Sequence, residues 1–208
     1  MKSFINKYKH AWVAVYALFY FPCFVYLEKH ITDDYHIIYT ALDDQIPFIE
    51  YFILPYLLWF PFVAAGILLL FFTDVKEYYR LAAFLIAGMT IFLIISALYP
   101  NGQPLRPTAF VRDNFCTTLV QRLYETDTPT NVFPSLHVYN SIGIAIGIWR
   151  SKKLADKLWI RTSALTLAIL IILSTVFLKQ HSVIDVIGAF LLAIPIYFLT
   201  YKLQMRRG

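Results

Sequence analysis

Six stretches of this chain run for 16 residues or more without Asp, Glu, Lys or Arg: 11–27, 51–73, 81–105, 128–149, 162–178 and 186–201. Crossing a bilayer as a helix takes about 20 apolar residues, within a range of roughly 17–25. Five runs fall in that range. The last extends to it if Lys202 snorkels its ammonium to the interface. The spacing therefore predicts six transmembrane helices, at about 11–27, 51–73, 81–99, 134–149, 162–178 and 184–201, in a single all-α polytopic membrane domain over 1–208. A soluble fold could not cover so much apolar surface, since 59% of residues are hydrophobic and 15% charged, against about 45–50% and about 25% in soluble domains. The 18 Phe and 15 Tyr suit a lipid-facing surface with interfacial aromatic belts.

A net charge of +5 would suit nucleic acid only if the basic residues formed an exposed stripe. Instead they alternate with the spans. Lys2, Lys7, Lys9, Lys76, Arg80, Arg150, Lys152, Lys153, Lys157, Arg161, Lys202, Arg206 and Arg207 fall on one side, which is 13 of the 18. The other side holds only Lys29, Arg106, Arg112, Arg122 and Lys179, with ten of the 13 acidic residues. This asymmetry predicts a multi-pass protein of the cell membrane with both termini cytoplasmic, its basic residues set against anionic lipid and no nucleic-acid partner. The lysines before the first run also fit a signal peptide, but Val25-Tyr26-Leu27-Glu28 offers no small-x-small cleavage pattern, so an uncleaved helix is expected. Cys23 and Cys116 neither require nor exclude a disulfide.

Two connections are long, 28–50 and about 100–134, and both lie on the acidic side. Long ordered loops tend to carry function. An interfacial helix is expected around Tyr35 to Leu42. The pairs Asp33-Asp34 and Asp43-Asp44 read as solvated loop residues, because a divalent oxygen site needs several converging ligands.

Chemistry is sought where polarity is costly, in ionisable groups at or inside the spans. Four segments qualify, all at the same ends of the last four spans: Arg106-Pro107, Pro134-Ser135-Leu136-His137, Lys179-Gln180-His181 and Asp185. His181 and Asp185 are four residues apart. On a helix they share a face, so the carboxylate can hold one imidazole nitrogen and leave the other free; they equally suit a structural pair tying two helix ends. Ser135 is placed to cap the fourth span, whose first N–H groups would form an anion site. His137 follows as a candidate proton donor or as a packing histidine. Arg106 and Lys179 either snorkel or, converging with the histidines, bind a phosphoryl group.

Together these segments resemble the type 2 phosphatidic acid phosphatase (PAP2) superfamily of membrane lipid phosphatases and phosphotransferases. The resemblance rests on Arg106-Pro107, on Pro134-Ser135-Leu136-His137, and on Ser174 through His181 to Asp185, in that order along six spans. The family's first lysine falls on Tyr99, and the arginine after its serine is Thr175 here. Lys179 or Arg112 is then expected to supply a missing cation. Leu136, and Leu42-Asp43-Asp44-Gln45-Ile46-Pro47 before the second span, are closer to the inositol-phosphorylceramide-synthase-like and sphingomyelin-synthase-like branch.

The resemblance implies metal-independent hydrolysis of a lipid phosphate, monoester or pyrophosphate, without cofactor, at the extracytoplasmic face. His181 would be the nucleophile forming a phosphohistidine, Asp185 its orienting partner and His137 the acid. Arg106, Ser135, Lys179 and Arg112 would bind phosphate. Transfer to a lipid hydroxyl is the alternative outcome. Two further readings are weighed: zinc on His137, His181 and Asp185, and a small ion or solute transporter, for which no midplane polar path is visible.

Overall fold

Inside a bilayer the backbone has no water to bond, so long apolar runs close their hydrogen bonds within helices. The computed structural model describes residues 8–202; Lys2, Lys7, Arg206 and Arg207, counted above, lie outside the described residues. Among the described residues, five helical segments are long and apolar enough to cross a membrane: Lys9–His30, Glu50–Thr73, Val75–Leu98, Leu158–Phe177 and Val183–Lys202. With almost no sheet, this is an all-α polytopic membrane protein.

Several spans are composite. The first opens with a 3-10 stretch, Lys9–Val15, and continues as α1, Tyr16–His30. A short strand β1, His36–Ile37, and a helix α2, Ala41–Gln45, follow. The second span runs from a 3-10 turn, Glu50–Phe52, through α3, Ile53–Leu57, to α4, Trp59–Thr73. It breaks at Leu58, where Pro61 lacks the N–H that would bond the preceding turn. Helix α5 is Val75–Leu98, strand β2 is Asn101–Gly102, and α6 is Phe115–Thr126. Then come α7, Leu136–Arg150, α8, Leu158–Phe177, and α9, Val183–Tyr197, which ends in a π turn, Phe198–Lys202, just past Pro195.

The fourth helix, expected at 134–149, is found at Leu136–Arg150 and is short for a span. It has 15 residues, a length of about 22 Å against a hydrocarbon core of about 30 Å. Pro129 and Pro134 hold the chain before it out of helix, and that segment is buried from Thr130 to Val132. Irregular backbone at such a depth must be bonded inside the protein. Asn101 does this: its fully buried Oδ1 accepts from the N–H groups of Val132 at 2.9 Å and Phe133 at 2.8 Å. The third span starts earlier than expected because Asp74 caps α5, its carboxylate accepting from the N–H of Glu77. The expected interfacial helix around Tyr35 to Leu42 is replaced by β1, which pairs in parallel with β2, and by α2 beginning at Ala41.

Helix α7 sits among α4, α5, α8 and α9, and its contact with α5 is a reciprocal insertion. Tyr139 of α7 stacks on Phe84 of α5, ring centroids 4.5 Å apart, and its hydroxyl donates to the Phe84 carbonyl at 2.8 Å. Gly88 makes room for Tyr139 and Gly143 makes room for Phe84: a Cβ on either glycine would lie 2.0 Å or 2.8 Å from the opposing ring. That packing fixes the helix on which His137 sits.

Candidate active site

The starts of α7 and α9 are joined by main chain, the Ser135 N–H donating to the Asp185 carbonyl at 3.2 Å. This brings together two segments nearly 50 residues apart in sequence. Ser135 is the N-cap of α7, its hydroxyl accepting from the Val138 N–H at 3.4 Å, and it is fully buried. Ser182 is the N-cap of α9 in a capping box with Asp185. The Asp185 carboxylate has two tasks through one oxygen: Oδ2 accepts from the Ser182 N–H at 2.9 Å and lies 3.2 Å from His181 Nδ1. Asp185 is fully buried and His181 nearly so. With Nδ1–H held by a carboxylate, the neutral ring keeps its lone pair on Nε2.

The turn bearing His181 is pinned from α8. Gln180 and His181 both donate their N–H to the Thr175 carbonyl, at 2.9 and 3.0 Å. Lys179 turns the chain with a φ of 53°, a left-handed conformation uncommon outside glycine. His137 faces His181 with ring centroids 5.7 Å apart. Its ring packs against those of Tyr56, at 4.6 Å, and Trp59, at 4.2 Å between centroids.

Both imidazoles line a cavity of about 430 Å³. Its inner wall is apolar and reaches α1, with Tyr20, Phe21, Phe24, Phe60 and Phe92. The polar end adds Gln180, Asp127, Asn131 and Glu28 to the histidines. Glu28 is clamped by Thr128, whose hydroxyl donates at 2.5 Å, and by Asn131, whose amide donates at 2.9 Å. Such a shape suits a ligand with an apolar tail and a polar head.

Arg106 reaches this cavity through an intermediary. Its guanidinium donates to the carbonyls of Tyr124, Asp127 and Thr128 at the end of α6 and to Gln180 Oε1 at 2.7 Å. Its head lies 4.7 Å from the Tyr124 ring and 3.8 Å from the Asp127 carboxylate. Burial lowers its pKa, and the charge of Asp127 opposes that. Desolvation raises the Asp127 carboxyl in turn, against Arg106 and His181.

Two expected phosphate ligands are placed elsewhere. Lys179 Nζ donates at 2.5 Å to the carbonyls of Asp43 and Ile46; burial depresses its pKa, with Asp43 and Asp44 opposing. Arg112 is an exposed side chain that bonds Glu50 at 3.2 Å, at the start of the second span. Neither lines the cavity, and among the described residues no lysine or arginine does. Tyr99 stacks on His36, and the Thr175 hydroxyl donates to the Ile172 carbonyl, so neither position restores a cation. Asp43, read as solvated, is in fact 2% exposed. The described residues hold no cluster of three metal-ligating side chains.

Sequence reasoning missed Glu28, Gln180, Asp127 and the Tyr56–Trp59 pair. For Gln180 the signal was adjacency to His181. Glu28 and Asp127 are single acids at the ends of helices, where unpaired acids are ordinary. A family model described as the PAP2 superfamily matches residues 102–208, a segment that contains Arg106, both histidines and Asp185. Among curated proteins and solved structures, none matches the chain.

Proposed function

The chain belongs to the PAP2 superfamily, whose members are phosphatases or phosphotransferases, and from that premise we propose that it cleaves a lipid phosphate ester through a phosphohistidine on His181. The observation that carries this reading is the pair of imidazoles at one cavity, one of them fixed through Nδ1 by Asp185. His181 Nε2 attacks phosphorus, forming a P–N bond as the P–O bond to the lipid alkoxide breaks. His137, entering protonated, gives its proton to the departing oxygen. Now neutral, His137 takes a proton from water, the hydroxide displaces histidine, and phosphate leaves. The first N–H groups of α7, beyond Ser135, stabilise negative charge on the phosphoryl oxygens. Arg106 contributes through Gln180, and Lys179 and Arg112 have no part in this reading.

Hydrolysis of a monoester or pyrophosphate is the preferred outcome. Transfer to an acceptor hydroxyl is the second reading, favoured by the carboxylates of Glu28 and Asp127 at the polar end, where a dianionic phosphate would want cations. The orientation proposed rests on charge: Lys76, Arg80, Arg150, Lys152, Lys153, Lys157, Arg161 and Lys202 flank the helix ends opposite those bearing the histidines, a bias that supports an extracytoplasmic site.

Phosphate release by purified protein is to be measured on a panel of lipid phosphates, with and without chelator and a hydroxyl acceptor. Wild type is expected to release phosphate unaffected by chelator, and His181→Ala to lose about 10³-fold or more. Equal release by both proteins overturns the nucleophile. Product lipid carrying the phosphate on the acceptor, in place of free phosphate, selects transfer.

A further inference from the structure

Helix α2, between the first two spans, touches the turn that carries His181 at both of its ends. At one end, the Lys179 ammonium reaches out to the carbonyls of Asp43 and Ile46, 2.5 Å each. At the other, the Asp43 carboxylate reaches back: Oδ1 accepts from the Val183 N–H at 2.8 Å and Oδ2 from the Ser182 hydroxyl at 2.6 Å. A third bond, from the Thr40 N–H at 2.9 Å, fixes the carboxylate on its own helix. His181 lies midway along the gripped turn.

Ser182 makes the connection chemical as well as mechanical. Its hydroxyl goes to Asp43, while its N–H goes to Asp185 Oδ2, the oxygen that holds His181 Nδ1. Two carboxylates are therefore linked to the imidazole, Asp185 in direct contact and Asp43 one residue further along the chain of hydrogen bonds. Each also satisfies an N–H at the start of α9, where a helix favours negative charge. Asp43 lies outside the segment matched by the family model.

We propose that Asp43 is a positioning residue for His181, setting the angle of its ring through Ser182 and Asp185 and favouring the positive charge that develops on the ring as it attacks. The role rests on the phosphohistidine reading above. Histidine becomes cationic as its lone pair bonds phosphorus, so a second negative charge behind Asp185 stabilises the product of attack more than the reactant. The other groups facing His181 are His137 at the head of α7, Tyr56 of α3, and Asp127 and Gln180 beside Arg106, with Glu28 across the cavity. Asp127 is the only acid among these that can act in the same sense from nearby. Its charge is shared with Arg106.

The test compares wild type with Asp43→Asn, Asp44→Asn and His181→Ala, all full length. Asp43→Asn keeps the size and an acceptor and removes the charge. Its kcat is expected to fall about tenfold or more with KM within about threefold. The acid side of its kcat/KM profile, where a proton on His181 blocks attack, should move about half a pH unit lower. The position of that limb is independent of how much protein is folded, so a loss of stability alone does not move it. Asp44→Asn, an exposed neighbour, should match wild type in both.

A lowered rate with an unmoved acid limb reduces Asp43 to an anchor and overturns the proposal. So does an Asp43→Asn profile identical to wild type. If Asp43→Asn does not fold, Ser182→Ala breaks the link from the other side, and wild-type kcat there overturns the proposal too. His181→Ala separates the two levels. Full activity in that variant defeats the nucleophile itself, whereas an inactive His181→Ala beside an unaffected Asp43→Asn defeats only the role of Asp43.

Discussion

An imidazole attacks phosphorus only from the nitrogen that carries a lone pair, and in His181 that choice is made by Asp185. Its Oδ2 sits 3.2 Å from Nδ1, so the proton stays on Nδ1 and the lone pair on Nε2 is left for the attack proposed above. In Asp185→Asn the amide oxygen can keep both contacts that Oδ2 makes, but the negative charge that stabilises the ring as it becomes cationic is gone. Loss of the orienting carboxylate in a triad costs about 10⁴ in kcat; a drop of about 10²- to 10⁴-fold at nearly constant KM is expected here, and kcat within about threefold of wild type would sink the assignment. The two histidines need opposite protonation states, which predicts a bell-shaped dependence of kcat/KM on pH. His137→Ala should remove the alkaline fall for a substrate whose leaving group needs no acid, such as an aryl phosphate, while retaining turnover. An unchanged alkaline limb would assign it to another group. The pairing of His181 with Asp185 was legible from their spacing, although His181 precedes the N-cap Ser182 and meets Asp185 through the capping turn, not across a helical turn. The direction of Lys179 was not: its left-handed φ of 53° sends the side chain toward α2, and a turn of that hand at a non-glycine residue leaves no local signal.

At the level of elements, the site depends on how closely α5 and α7 approach. Tyr139 is fully buried, stacked on Phe84 and held by its hydroxyl to the Phe84 carbonyl, so it cannot swing aside. A Cβ at Gly88 would lie 2.0 Å from its ring. Gly88→Ala gains about 1 kcal/mol of helix propensity, yet overpacking a rigid contact costs about 1–3 kcal/mol. At 2.0 Å the upper part of that range applies and the strain wins. A lower thermal unfolding midpoint in detergent is expected, with reduced kcat because α7 carries His137; a midpoint equal to or above wild type would show that the interface yields. The long spans were legible from charge-free runs, since in lipid length and apolarity nearly decide the structure. Helix α6 was hidden because it is short and carries charge. Its buried residues Cys116, Thr117 and Val120, with Leu123 and Tyr124 packed beside Ile53 and Leu178, follow helical spacing inside what reads as a loop. Similarly, the charge-free run 128–149 is longer than α7, Leu136–Arg150, because the absence of charge does not separate helix from extended chain buried in protein; Pro134 marked where the helix begins.

Over the whole molecule, apolar space and polar chemistry share one cavity. The cavity is lined by aromatic rings of α1, α4 and α5 as well as by the histidines, which suits the lipid phosphate proposed as substrate, its tail against the rings and its head at the imidazoles. Which aqueous side receives the released phosphate depends on orientation. The described basic residues concentrate at the end opposite the site, and cytoplasmic loops retain Lys and Arg. Single cysteines can read this directly in a chain with Cys23 and Cys116 replaced by alanine. Val111 is fully exposed near the site end, and Asp156 is exposed in the basic connection between α7 and α8. A membrane-impermeant maleimide is expected to label Val111→Cys in intact cells and Asp156→Cys only after permeabilisation. The reverse pattern would turn the molecule over, place the histidines in the cytoplasm, and require the lipid phosphate to be drawn from the inner leaflet.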